Sequence, residues 1–137
     1  MKLIPISPEN LKLAMKDVGV HVEAALEYTD GKYNLSDVIS QVLQGMLTLW
    51  VVYNETKDKA VGCLLTEILG YPRSKALSIF LLGGDDFTEI VQTLDELKEY
   101  AKGMGCKTIE FYGRDGWEKV LKPSGFEKIH IVMRLNL

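Results

Sequence analysis

Two segments of this sequence hold residues whose types and spacing could do chemistry. The first is Gly113-Arg114-Asp115-Gly116-Trp117, in which two glycines bracket an Arg-Asp pair and a tryptophan follows. A guanidinium on such a loop can reach an anionic ligand through charge-assisted hydrogen bonds, with Trp117 lining the same cleft. In the other reading of these residues, Trp117 staples the helix it opens to the core. The second segment is Gly83-Gly84-Asp85-Asp86-Phe87-Thr88-Glu89. Asp86 followed three residues later by Glu89 has the form of a capping box that opens a helix. Metal chemistry has no support, because His21 and His130 share no ligand-like spacing with a cysteine or carboxylate. Cys63 and Cys106 lie far apart without a CxxC spacing and read as reduced thiols of a cytoplasmic protein.

These residues need a scaffold, and 137 residues at 47% hydrophobic and 26% charged suit one globular domain spanning 1–137 with one core. A net charge of −3 gives no general attraction to nucleic acid, and no basic-aromatic surface motif is present. Lys119, Lys122, Lys128 and Arg134 stand against Glu118 and Glu127 and read as a solvated face. Met1 to Pro5 lacks the apolar stretch of a signal peptide, and no apolar run approaches the roughly 18 residues of a membrane span. The expectation is a cytoplasmic chain with neither nucleic acid nor membrane as partner.

The elements follow from period and punctuation. Lys2 to Ile6 is a short strand, and Ser7-Pro8 starts a helix whose stripe is Leu11, Ala14, Met15, Val18, Val22, Ala25 and Leu26. Asn34 caps a second helix carrying Leu35, Val38, Ile39, Val42, Leu43 and Met46. Leu47 to Tyr53 and Ala60 to Leu69 flank a polar turn and form an antiparallel hairpin; Lys75 to Leu82 is a third strand. Behind Asp86 a long helix buries Phe87, Ile90, Val91, Leu94, Leu97 and Ala101, and Gly103 and Gly105 end it. Lys107 to Tyr112 is a strand, Trp117 to Leu121 a short helix, and Phe126 to Leu137 a last strand or bent strand pair. The order is β-α-α-β-β-β-α-β-α-β(β).

That order resembles the GNAT N-acetyltransferase superfamily over nearly the whole chain. The stretch "WVVYNETKDKAVGCLLTEI" looks like the family's second and third strands, with Val-Gly after a polar turn. "LKEYAKGMGCKTIEFYG" is similar to the end of its main helix and its fifth strand, and "WEKVLKPSGFEK" to its short helix followed by Gly-Phe. The combination of "GRDGW" and "GFEK" in a short chain also resembles small acetyltransferase-like proteins of bacteriophages. The resemblance implies an α/β (α+β) fold with a mixed, mostly antiparallel central sheet flanked by helices. It also implies acetyl-CoA bound where the fourth and fifth strands splay apart, and an amine, small-molecule or protein, as acceptor.

Carried onto this sequence, the resemblance places the pantetheine against Ile79, Leu81 and Leu82. It places the pyrophosphate at Gly83, Gly84, Phe87 and Thr88, with Arg114 nearby. The family loop reads Arg/Gln-x-x-Gly-x-Gly/Ala; here no Arg or Gln precedes the glycines, and Asp85 and Asp86 follow them. An acidic cap takes the N–H donors that a phosphate needs and repels its charge. The tyrosine that many relatives use as general acid falls on Leu121. Tyr112 is the nearest alternative acid or else a packed aromatic, and Glu67 is the best-placed base by topology or else a surface carboxylate. Ser78, where some relatives carry an acidic base, cannot replace one. Two readings stand: an acetyl-CoA-dependent N-acyltransferase with a degenerate cofactor loop, or a catalytically silent protein of this fold that binds a partner.

Overall fold

The computed structural model describes all 137 residues. Its centre is a five-stranded sheet in the order β1-β2-β3-β4-β5: Lys2–Ile6, Thr48–Asn54, Lys59–Gly70, Lys75–Gly84 and Thr108–Phe111. The first three pairings are antiparallel and β4 with β5 is parallel, giving the expected mixed sheet. Five α-helices flank it: α1 (Leu11–Leu26), α2 (Leu35–Leu43), α3 (Phe87–Gln92), α4 (Leu94–Gly103) and α5 (Gly116–Leu121). No helix is long and apolar enough to cross a membrane.

Strand alternation sorts the core into two layers. Leu49, Val51, Cys63, Leu65 and Leu81 face one side and meet the α1 and α2 stripes at Leu11, Val18, Val22, Val38 and Val42. Trp50, Val52, Leu64, Leu77, Ile79 and Leu82 face the other side and meet Ile90, Val91, Leu94, Leu97, Ala101 and Leu121. The Trp50 indole N–H donates to the buried Thr66 hydroxyl at 2.9 Å, so the largest core side chain leaves no polar atom unpaired. β1 is an edge strand, and its Leu3 N–H donates to the Glu96 carboxylate of α4 at 2.8 Å.

Five expectations need correction. Helix α2 ends at Leu43, so Met46 lies beyond it, and both side chains are exposed rather than part of the buried stripe. The helix expected to start at Ser7-Pro8 does not: Pro8–Asn10 forms a 3-10 turn and α1 starts only at Leu11. The long helix behind Asp86 is two helices, α3 and α4. Buried Thr93 turns its hydroxyl onto the Ile90 carbonyl at 2.6 Å, which competes with the helical ladder and breaks it there. Phe87 is not in the core but half-exposed, packed on Trp117. Phe126 to Leu137 forms no strand. Only Phe126 packs on the core; every residue from Glu127 to Leu137 is exposed, Val132 as much as Ile131 and Met133, and Arg134 pairs with Asp30 at 3.3 Å. The period-2 pattern is real, but a strand also needs a ladder, and this segment stands across a cleft from β5.

At the end where β3 and β4 pair, the backbone is packed too closely for side chains. A Cβ on Gly62 would lie 2.6 Å from Ile90 Cδ1 and 2.7 Å from the Gly83 carbonyl oxygen. Gly62→Ala is therefore expected to overpack this contact and destabilise the protein by about 1–3 kcal/mol, measured by denaturant unfolding. An unchanged midpoint would mean that α3 yields freely here.

Candidate active site

β4 and β5 pair only from Ala76↔Thr108 to Ile79↔Phe111, and Tyr112 N–H still reaches the Ile79 carbonyl at 3.3 Å. Beyond that point β4 continues to Gly84 while the other chain turns away at Gly113. At the same level β4 carries a bulge: Leu65 pairs with Leu81 and Thr66 with Ile79, which leaves Phe80 as the extra residue. The result is a cleft of about 1600 Å³ on the open edge of β5. Leu81 and Leu82 form one wall and the tail from Lys128 to Leu135 the outer one.

A wedge of aromatic rings sets the divergence. Trp117, at the start of α5, stacks edge-on to Phe87 of α3 at 4.7 Å and tilted on Phe111 of β5 at 5.1 Å. Gly113 has no side chain because a Cβ there would collide with the Phe111 ring and lie 2.9 Å from Trp117 Cδ1. The staple reading of Trp117 is thus the one realised, although the ring also lines the cleft. Arg114 does not point at an anion. Its guanidinium lies 3.5 Å from the centroid of the Tyr28 ring, a cation–π contact joining the β5–α5 loop to the turn after α1.

The phosphate position is filled by the chain itself. The Asp86 carboxylate accepts from Thr88 N–H at 3.0 Å and Glu89 N–H at 3.3 Å; Glu89 makes no reciprocal bond. Asp85 N–H donates to the Val61 carbonyl and Ile90 N–H to the Asp86 carbonyl. The two glycines are not a cradle: a Cβ on Gly83 would strike the His21 carbonyl of α1, and one on Gly84 would strike Ile90 and the Val61 carbonyl. Gly83, Gly84, Phe87 and Thr88 do not line the cleft, and Ile79 is buried beneath it; Leu81, Leu82, Tyr112 and Arg114 do line it. The pyrophosphate of acetyl-CoA therefore does not fit where the family pattern would put it. Two like unit charges about 4 Å apart repel by roughly 4 kcal/mol at an effective dielectric of 20, before solvent screening.

Glu67 and Tyr112, expected as base and acid, are not in one cavity. Glu67 borders a separate hollow of about 400 Å³ with Thr66, Ile68 and Tyr100. Across the sheet Glu67 pairs with Ser78 and Ser78 with Glu110, so the three side chains share one face. Ser78 is buried and its hydroxyl has no protein partner. Leu121 is a core residue, which fits its inability to act as an acid. Among the carboxylates lining the cleft, Glu110 is the one carried by a strand of the sheet, and it accepts from the Tyr71 hydroxyl at 2.8 Å. Glu110, with Tyr112 beside it, holds the Tyr71 proton and pushes its pKa well above the ordinary range. Sequence reasoning missed Tyr71 and Glu110. The one available signal was that Glu110 is a charged residue within an otherwise apolar strand. No three His, Cys, Asp or Glu side chains converge to hold a metal ion.

Element order, mixed sheet and splayed β4–β5 cleft define the protein as one with a GNAT-type acetyltransferase fold. No family model and no curated protein matches its sequence. Among solved structures, it is similar to a probable acetyltransferase at 12% identity and TM-score 0.74, over 100% of this chain and 97% of that one. A Trypanosoma brucei acetyltransferase matches at 15% identity and TM-score 0.66, over 98% of both chains. An aminoglycoside acetyltransferase from an uncultured soil metagenomic sample, in complex with sisomicin, matches at 15% identity and TM-score 0.67, over 98% of this chain and 95% of that one. At these identities the likeness establishes the fold.

The two thiols differ in burial: Cys63 is buried and Cys106 only partly. Cys63 lies under the α1–α2 layer, and burial pushes its pKa up from 9.0 to about 12, against a smaller lowering by a hydrogen bond with the Gly83 backbone. A thiol with its pKa raised on folding stabilises the protein fully below the unfolded value, and that contribution is lost as pH rises from 9 toward 12. Between pH 9 and 11 the native chain should lose stability faster than Cys63→Ala, by up to about 1.4 kcal/mol per pH unit. Parallel stability–pH curves for the two proteins would contradict the burial assignment.

Proposed function

We propose that this protein is an N-acyltransferase whose acceptor is an amine, on a small molecule or a protein, held in the β4–β5 cleft. The observation that carries the reading is the Glu110 carboxylate, hydrogen-bonded by Tyr71 and neighboured by Tyr112, which lines the cleft from the paired part of β5, just before the strands part. A carboxylate there attracts an ammonium group and can take its proton. The freed nitrogen then bonds to the acyl carbon as the bond to the donor's leaving group breaks, and Tyr112 gives that group a proton. The second nitrogen proton restores Tyr112, and Glu110 releases the first to solvent. Tyr71 acts as a positioning residue, fixing the carboxylate by its hydrogen bond. The fold implies acetyl-CoA as donor, and Leu81 and Leu82 supply an apolar wall for its uncharged arm.

A second reading, a silent binding protein of the same fold, is favoured by one observation: Asp86 takes the N–H groups of Thr88 and Glu89 for itself. The two readings separate by thiol release from acyl thioesters in the presence of polyamines, aminoglycosides or lysine peptides. Turnover by the native chain that falls about 100-fold or more in Glu110→Gln, with KM for the amine raised, is the expected result. Equal turnover by both proteins would contradict the role given to Glu110. No turnover with any acceptor would leave the silent reading.

A further inference from the structure

The two ends of the donor path are built differently, and the difference bears on which donor the cleft takes. At the inner end β4 runs from Phe80 to Gly84 without a β5 partner, so its edge toward the cleft is an unpaired strand edge. An extended arm containing amide groups can add to such an edge as a strand would, with Leu81, Leu82 and the Trp117 wedge as apolar surroundings. At the outer end, four of the six backbone amides from Asp85 to Ile90 already donate within the chain: Asp85, Thr88, Glu89 and Ile90. The glycines that precede them are pressed against His21 and Ile90, and a carboxylate stands where a phosphate would. One half of a coenzyme A thioester therefore meets a complementary surface, and the other half meets occupied donors and like charge.

We propose that the cleft recognises an acyl thioester by its uncharged pantetheine arm alone, and that the nucleotide diphosphate of coenzyme A contributes no binding. This rests on the reading of the cleft as an acyl-donor site. The donor class is an acyl-pantetheine thioester, for which the adenosine portion is a passenger projecting past α3 into solvent. Asp86 is the specificity-determining residue, acting by charge and by occupancy of the Thr88 and Glu89 amides.

Calorimetric titration of the full chain at low salt tests this, with S-acetylpantetheine, acetyl-CoA and adenosine 3′,5′-bisphosphate as probes. The two thioesters are expected to bind with affinities within about tenfold of each other, and the bisphosphate neither to bind nor to compete. Asp86→Asn keeps a capping oxygen but removes the charge. It should tighten acetyl-CoA by about tenfold or more and leave S-acetylpantetheine unchanged. Acetyl-CoA binding more than about tenfold tighter than S-acetylpantetheine would overturn the proposal. So would an Asp86→Asn protein whose affinity for acetyl-CoA is unaltered, or binding of neither thioester. Equal binding of both without acyl transfer would remove the catalytic reading above and leave this inference standing.

Discussion

β4 and β5 share only four paired residues, Ala76–Ile79 against Thr108–Phe111, and the rest of the site depends on what holds them apart beyond that. Two parallel strands would ordinarily continue their ladder. Here the Trp117 ring occupies the gap between Phe87 and Phe111, and Gly113 gives the backbone room to pass beside it. The bulge at Phe80 falls at the same level and releases β4 from its regular register with β3. Sheet, wedge and bulge together fix the inner wall of the cleft on β4, while the irregular tail from Lys128 to Leu135 forms the outer one. Tyr71, in the turn before β4, and Glu110 and Tyr112 border the same cleft.

The same packing determines what the cleft cannot hold. α1 crosses β4 at Gly83, and α3 lies on Gly62 and Gly84, both contacts closer than any side chain would permit. The glycines are used for this approach, so their backbone is not free to meet a ligand. α3 has six residues, and Asp86 satisfies its first donors. The chain's own carboxylate thus occupies the place an anion would need. The Tyr71–Glu110 pair lies on the open edge of β5, away from this closure.

Much of this was legible in the residues, and the reasons for the gaps are physical. The stripe of α1 and the inner α2 positions Val38 and Val42 report burial directly, and the unbroken apolar runs of β2 and β3 report a sheet covered by helices on both faces. Asp86 as a cap is a local matter and could be read from its spacing to Thr88 and Glu89. Gly83 and Gly84 could not be interpreted, since their role depends on His21 and Ile90 arriving from elsewhere in the chain. The Tyr71–Glu110 bond joins a turn to a strand 39 residues later and has no local signature. Thr93 breaks a helix through a back-bond that matters only because the residue is buried. The tail shows the opposite failure: Ile129, Ile131 and Met133 alternate as a strand does, yet no ladder forms.

The central claim is that donor binding uses the β4 edge and leaves the α3 amides to Asp86. Backbone amide shifts followed by NMR during a titration with acetyl-CoA test it most directly. The account predicts that the amides of Leu81, Leu82 and Tyr112 move on binding while those of Thr88 and Glu89 stay where the Asp86 carboxylate holds them. Largest movements at Thr88 and Glu89 would contradict it, because they would show the phosphates displacing the cap.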